Sequence, residues 1–149
     1  MAKVYSFNRN YTSFIHHHEG MPLSDHDPKE SPEILSDTDL EAEINAASPH
    51  RLIQILFDGA LARVTAAKIA LDQNRDSVAL VNEAIGIIGG LRSSLDMEAA
   101  GDLPESLDSL YEYMETCLHE AAQNSSAAKL DEVKGLLETL KSGWDGIAP

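Results

Sequence analysis

From Ser36 onward, apolar residues recur every three or four positions, the period of helices that each bury one face, and short polar breaks divide that pattern. The first segment is short. Asp37-Thr38-Asp39-Leu40-Glu41-Ala42-Glu43-Ile44 offers capping residues, early acids and apolar positions four apart, and Ala47-Ser48-Pro49 marks its end. Ser48 with Pro49 behind it then starts a long helix, because the hydroxyl accepts an orphan amide where proline has none to offer, and the pattern runs to about Gln73. After the turn Asn74-Arg75-Asp76-Ser77, with Asp76 or Ser77 as cap, a second long helix extends to about Leu95. Gly86, Gly89 and Gly90 each weaken it by up to about 1 kcal/mol relative to alanine, which points to something packed closely against them. The break Ala99-Ala100-Gly101-Asp102 places Asp102 as cap of a third helix, with Pro104 in its first turn and Glu105 three residues on, ending near Asn124. A polar turn, Asn124-Ser125-Ser126, leads to a last helix from about Ala127 to Asp145. Four long helices on short turns predict an all-α, antiparallel up-down four-helix bundle over residues 36–149, with a short additional N-terminal helix and no internal repeat.

The faces differ. The last helix carries one stripe, Leu130, Val133, Leu137, Leu140, Trp144 and Ile147, and the third carries Leu107, Leu110, Met114, Cys117 or Leu118, and Ala121, with Tyr111 and Tyr113 off that line and free to face a partner. The first long helix has Ile53, Phe57, Ala60, Val64, Ala67 and Leu71 on one side and Leu52, Leu56, Gly59, Ala66 and Ala70 alongside. The second has Val81, Ala84, Ile85, Ile88, Leu91 and Leu95, supplemented by Leu80 and Ile87. If each bundle helix needs one inward face, this surplus implies a second, exposed groove, or else a surface covered by the short helix around Leu40 and Ile44.

Composition narrows the function. At 149 residues the chain is long enough for a core without staples, and 43% apolar with only 5% aromatic residues suits packed aliphatic helices. A net charge of -14, from 25 acidic and 11 basic residues, leaves no basic stripe for nucleic acid and repels anionic lipid. No apolar run approaches the ~20 residues that span a bilayer, and the start lacks the order of a signal peptide, so a cytoplasmic protein without membrane insertion is expected. The single Cys117 has no partner and reads as a small core residue.

Residues 1–35 stand apart as a flexible, disordered tail, holding four of the six histidines, Pro22, Pro28 and Pro32, and no sustained helical period. His16-His17-His18 with Glu19, His26 and Asp27 contains metal-ligand types, but adjacent residues turn poorly toward one ion, and no metal or other cofactor is expected. No Glu-x-x-His pairs face one another as a di-iron bundle needs, and neither a phosphate-cradling loop nor a Ser-His-Asp pattern is present. Glu112 and Glu115 read as a solvated face. His50 and His119 raise a histidine phosphotransfer bundle as a rival reading, yet neither is followed by the Lys and small residues that such domains share.

The run Ala47-Ser48-Pro49-His50-Arg51-Leu52-Ile53-Gln54-Ile55-Leu56-Phe57-Asp58-Gly59-Ala60 resembles the flagellin-specific export chaperone family, FliS. Ile87-Ile88 through Leu91, Leu95-Asp96, Leu107 with Leu110-Tyr111-Glu112-Tyr113-Met114, and Trp144 extend the likeness, which spans Ala47 to Ile147. The resemblance implies a non-enzymatic bundle that holds the C-terminal segment of new flagellin in the cytoplasm, prevents early polymerisation and hands it to the flagellar type III export apparatus, whose gate components would be further partners. An adaptor for another secretion client is the alternative, and the oligomeric state, monomer or weak dimer, stays open. On this reading the client meets Leu52, Leu56, Gly59 and Ala60 on one helix, Ile87 and Leu91 on the next, and Tyr111 and Tyr113 near the rim. Asp58 either pairs locally or touches the client's backbone amides. One departure concerns the cover of the groove: Leu35 stands where the family usually has an aromatic residue, about thirteen positions before the Ser-Pro pair, so an aromatic of the long tail, among Tyr5, Phe7, Tyr11 and Phe14, is the candidate substitute.

Overall fold

Ser48 accepts the amide of Arg51 at 3.1 Å and Pro49 fills the next position, so α2 (Pro49–Asp72) begins where the Ser-Pro pair predicts. Before it lies the short α1 (Asp37–Ala46), and after it come α3 (Val78–Ser93), α4 (Leu103–Asn124) and α5 (Ala127–Asp145). The structure, a computed structural model, describes Val4, Tyr5 and residues 37–147. The His16-His17-His18 stretch and the rest of the predicted tail lie outside the described residues, as does Leu35.

Each of the four long helices packs on the next, and α5 closes back on α2, which makes the expected up-down bundle. Asn74 (φ 56°) and Ser125 (φ 53°) take left-handed backbone that reverses the chain in a few residues. Asp76 accepts the Val78 amide at 2.9 Å and Ser126 that of Lys129 at 3.3 Å. Asp102 does not cap α4 as expected: it sits at φ -95°, ψ -3°, in helical rather than extended backbone, and its side chain makes no cap bond. Ser126→Ala should therefore cost about 1 kcal/mol in urea unfolding, whereas Asp102→Ala should stay within about 0.5 kcal/mol. Equal losses would show that Asp102 caps after all.

The core runs through all four long helices. Leu130, Val133 and Leu137 of α5 meet Tyr111, Met114, Cys117 and Leu118 of α4, Val81, Ile88 and Leu91 of α3, and Ile53, Phe57 and Val64 of α2. The surplus apolar arc of α2 and α3 is mostly spent here. In a ring each helix touches two neighbours, so its buried arc is wider than the single face assumed from sequence, and Leu56, Ala60, Ile87 and Leu91 all lie inside. Ile44 anchors α1 to this core. One ion pair is buried with the apolar side chains. Arg63 of α2 reaches Glu83 of α3 at 3.4 Å with 4% and 9% of the two side chains exposed, and it also donates to the Gly59 carbonyl at 3.4 Å.

Candidate functional site

Where α4 and α5 meet the start of α2, the bundle leaves an apolar cleft of about 150 Å³. Phe57 of α2, Leu103 and Leu107 of α4, and Thr139, Leu140, Gly143 and Trp144 of α5 line it, with Ile147 just beyond and Val4 and Tyr5 across its mouth. The floor follows from sequence: Leu140, Trp144 and Ile147 continue the α5 stripe past the point where α4 can cover it, and Gly143 keeps the wall low. A Cβ added at Gly143 would meet nothing within 4 Å.

Tyr5 closes this cleft from the N-terminal end of the chain. It forms an isolated antiparallel bridge with Leu95, and the Asp96 amide donates to the Val4 carbonyl at 2.6 Å. Its ring meets Trp144 edge to face, with centroids 5.2 Å apart at 86°, and its hydroxyl shares a hydrogen bond with that of Tyr111. Trp144 is held from both sides, because His50 stacks on it at 4.7 Å and 14° while the indole N–H donates to the His50 carbonyl at 3.0 Å. A tail aromatic thus takes the covering position, and it is Tyr5.

Burial pushes the Tyr5 hydroxyl up to about 12, against a smaller opposing effect of the Tyr111 bond. A pKa raised on folding means that the neutral ring stabilises the closed cleft below pH 10 and that this contribution is lost as pH climbs from 10 toward 12. Alkaline titration of tyrosinate absorbance should show one hydroxyl titrating near 12 in the parent protein and missing from Tyr5→Phe. A difference curve centred near 10 would mean that the ring is not packed in solution.

The nine residues expected to meet a client do not form one open surface. Leu56, Ala60, Ile87, Leu91 and Tyr111 are interior, with Tyr111 reaching the cleft from within rather than standing on its rim. Leu52 and Gly59 are half-buried, and an added Cβ at Gly59 would lie 3.4 Å from Ile87. Asp58 is exposed on the seam between α2 and α5, where Lys141 approaches it at 3.5 Å and Arg51 at 3.9 Å, so it pairs locally. Tyr113 is exposed on the seam between α4 and α5 and donates to Glu132. Close packing expected against the α3 glycines is absent at Gly89, where an added Cβ would meet nothing within 4 Å.

Charged side chains decorate the seams rather than the cleft. Lys141 bridges Asp58 and Asp145, whose carboxyl it holds below the usual range, and Arg92 of α3 gathers Asp108, Glu112 and Glu115 of α4. Desolvation raises the Glu115 carboxyl despite Arg92. His119 is exposed, and no group of three or more His, Cys, Asp or Glu among the described residues is placed to hold a metal ion. Nor is any described helix long and apolar enough to cross a membrane.

A family profile for the flagellar protein FliS matches residues 34–149, which takes in α1 to α5 and every residue of the cleft except Val4 and Tyr5. The chain belongs to the FliS family. It is 48% identical over 111 residues to the flagellar secretion chaperone FliSB of Pseudomonas aeruginosa, covering 73% of this chain and 88% of that one. It is 39% identical over 114 residues to flagellar secretion chaperone FliS of Salmonella typhimurium, covering 74% and 84%, and 36% identical over 112 residues to that of Vibrio cholerae, covering 74% and 82%. The FliS match thus rests on the helical bundle, while the tyrosine that closes the cleft precedes the matched region.

Proposed function

We propose that this FliS-family chain is a cytoplasmic chaperone that holds the C-terminal helical segment of a flagellin, keeps it from polymerising early and delivers it to the flagellar type III export apparatus. The observation that supports this most is the apolar cleft closed by the chain's own Tyr5. A polymerisation-prone amphipathic segment needs apolar surface to lie on, and a bundle that offered such surface permanently would risk self-association. A two-residue cover resolves both demands, since Val4 and Tyr5 can leave when the client arrives. Beyond the cleft, half-buried Leu52 and Gly59 and the open face at Gly89 extend the contact along α2 and α3.

Leu56 sits inside the bundle, so a charge there would damage the fold, whereas half-buried Leu140 lines the cleft and tolerates one. Titration calorimetry with a flagellin C-terminal peptide should show Leu140→Asp binding roughly 10- to 100-fold more weakly, the equivalent of losing one buried leucine contact of about 1.5–3 kcal/mol. Tyr5→Ala should bind more tightly than the parent, because no cover has to be displaced. Equal affinities for the parent and Leu140→Asp would move the client off this cleft.

A further inference from the structure

We propose that the mouth of the cleft is a receptor for an extended, tyrosine-bearing segment of the polypeptide client, with Val4 and Tyr5 as a built-in copy of that ligand. This rests on the client-binding reading above and adds the chemistry that the mouth selects.

Three separate features recognise the occupant. The backbone at Leu95 and Asp96 accepts a strand: Leu95 pairs with Tyr5 in an antiparallel bridge and the Asp96 amide donates to the Val4 carbonyl at 2.6 Å, so the occupant must be extended there. The Trp144 face takes an aromatic ring at 5.2 Å, edge on. The Tyr111 hydroxyl, fully buried, meets the hydroxyl at the end of that ring, a contact that phenylalanine cannot supply. Aliphatic residues would satisfy none of the last two features.

The attachment of the chain's own segment is also slight. A single bridge and one ring hold it, while the cleft beyond keeps about 150 Å³ of apolar space beside Leu107, Leu140 and Gly143. At the rim Met97 and Leu103 remain 52% and 37% exposed. A client segment that reproduces the valine-tyrosine pair and continues with apolar side chains gains surface that Val4 and Tyr5 leave unused. That difference lets it displace a cover favoured by its tether.

The test uses the full-length Tyr5→Ala chain, in which the mouth is vacated, and the emission of Trp144, the chain's single tryptophan. The probes are a synthetic peptide of residues 1–8 and the same peptide with phenylalanine in place of Tyr5. The tyrosine peptide should shift Trp144 emission and bind about fivefold more tightly than the phenylalanine peptide, the margin of one net hydrogen bond. Adding Tyr111→Phe should bring that ratio close to one. A flagellin C-terminal peptide bearing a tyrosine should compete with the probe. Equal affinity of the two probes for the Tyr5→Ala chain, or no response of Trp144 to either, would overturn the receptor. Flagellin binding without competition would overturn it too while leaving the chaperone reading intact. Probe discrimination with no flagellin binding would instead support the receptor and sink the flagellin reading.

Discussion

Arg63→Met alone should destabilise the bundle by about 3–5 kcal/mol in urea unfolding, and Glu83→Leu alone by a similar amount, because each strands the other's charge in the core. The double variant Arg63→Met with Glu83→Leu should recover most of that loss. Its two apolar side chains fill similar volume without any charge to desolvate, and buried pairs often prove no better than such replacements. The pair spans α2 and α3 at 3.4 Å, and Arg63 also donates to the Gly59 carbonyl one turn back. It therefore ties one helix register to the other, and the double variant tests whether stability or register is what the charges supply. A double variant as unstable as either single one would show that the ion pair itself is worth several kcal/mol.

Trp144→Ala should cost about 3–5 kcal/mol, measured by circular dichroism since the fluorophore is removed. The loss combines a nearly buried indole, its stack on His50, its edge contact with Tyr5 and the bond to the His50 carbonyl. Trp144→Phe keeps the ring packing and loses only the N–H donor and part of the volume, so it should retain more than half of that stability. The alanine variant should also release Tyr5, seen as a tyrosine hydroxyl titrating near 10 instead of about 12. A loss under about 1 kcal/mol for Trp144→Ala would mean that the far end of α5 is not docked in solution.

The helices were legible because their signals are local. Ser48 with Pro49, Asp76 and Ser126 announce starts within four residues, and the Leu130-Val133-Leu137 stripe repeats on one face of α5. Asp102 misled because cap chemistry also needs extended backbone, a property of the 94–102 connection as a whole. The cleft was harder to see. Its mouth joins Tyr5 to Trp144 and Tyr111 across more than a hundred positions, and an isolated two-residue bridge leaves no period in the sequence. The family resemblance supplied the idea that something covers the groove, and the missing aromatic at Leu35 directed attention to the tail. The expected client residues on α2 and α3 went inward for a geometric reason: a helix in a closed ring of four turns two flanks to its neighbours, so Leu56, Ile87 and Tyr111 read as surplus when they are filling.

The seam between α2 and α5 closes the ring, and it joins the most distant parts of the bundle. Gln54 bonds Asp145 at 2.7 Å across 91 positions, and Lys68 meets Asp131 at 2.5 Å across 63, whereas the other three seams join helices adjacent in the chain. Adjacent pairs can zip with little loss of chain entropy, but this last closure spends the largest loop entropy for contacts that are mostly polar and exposed. Assembly of the ring is thus paced by its final joint, and the pocket that Trp144 and Tyr5 share is among the last features to exist on folding and the first to go on unfolding.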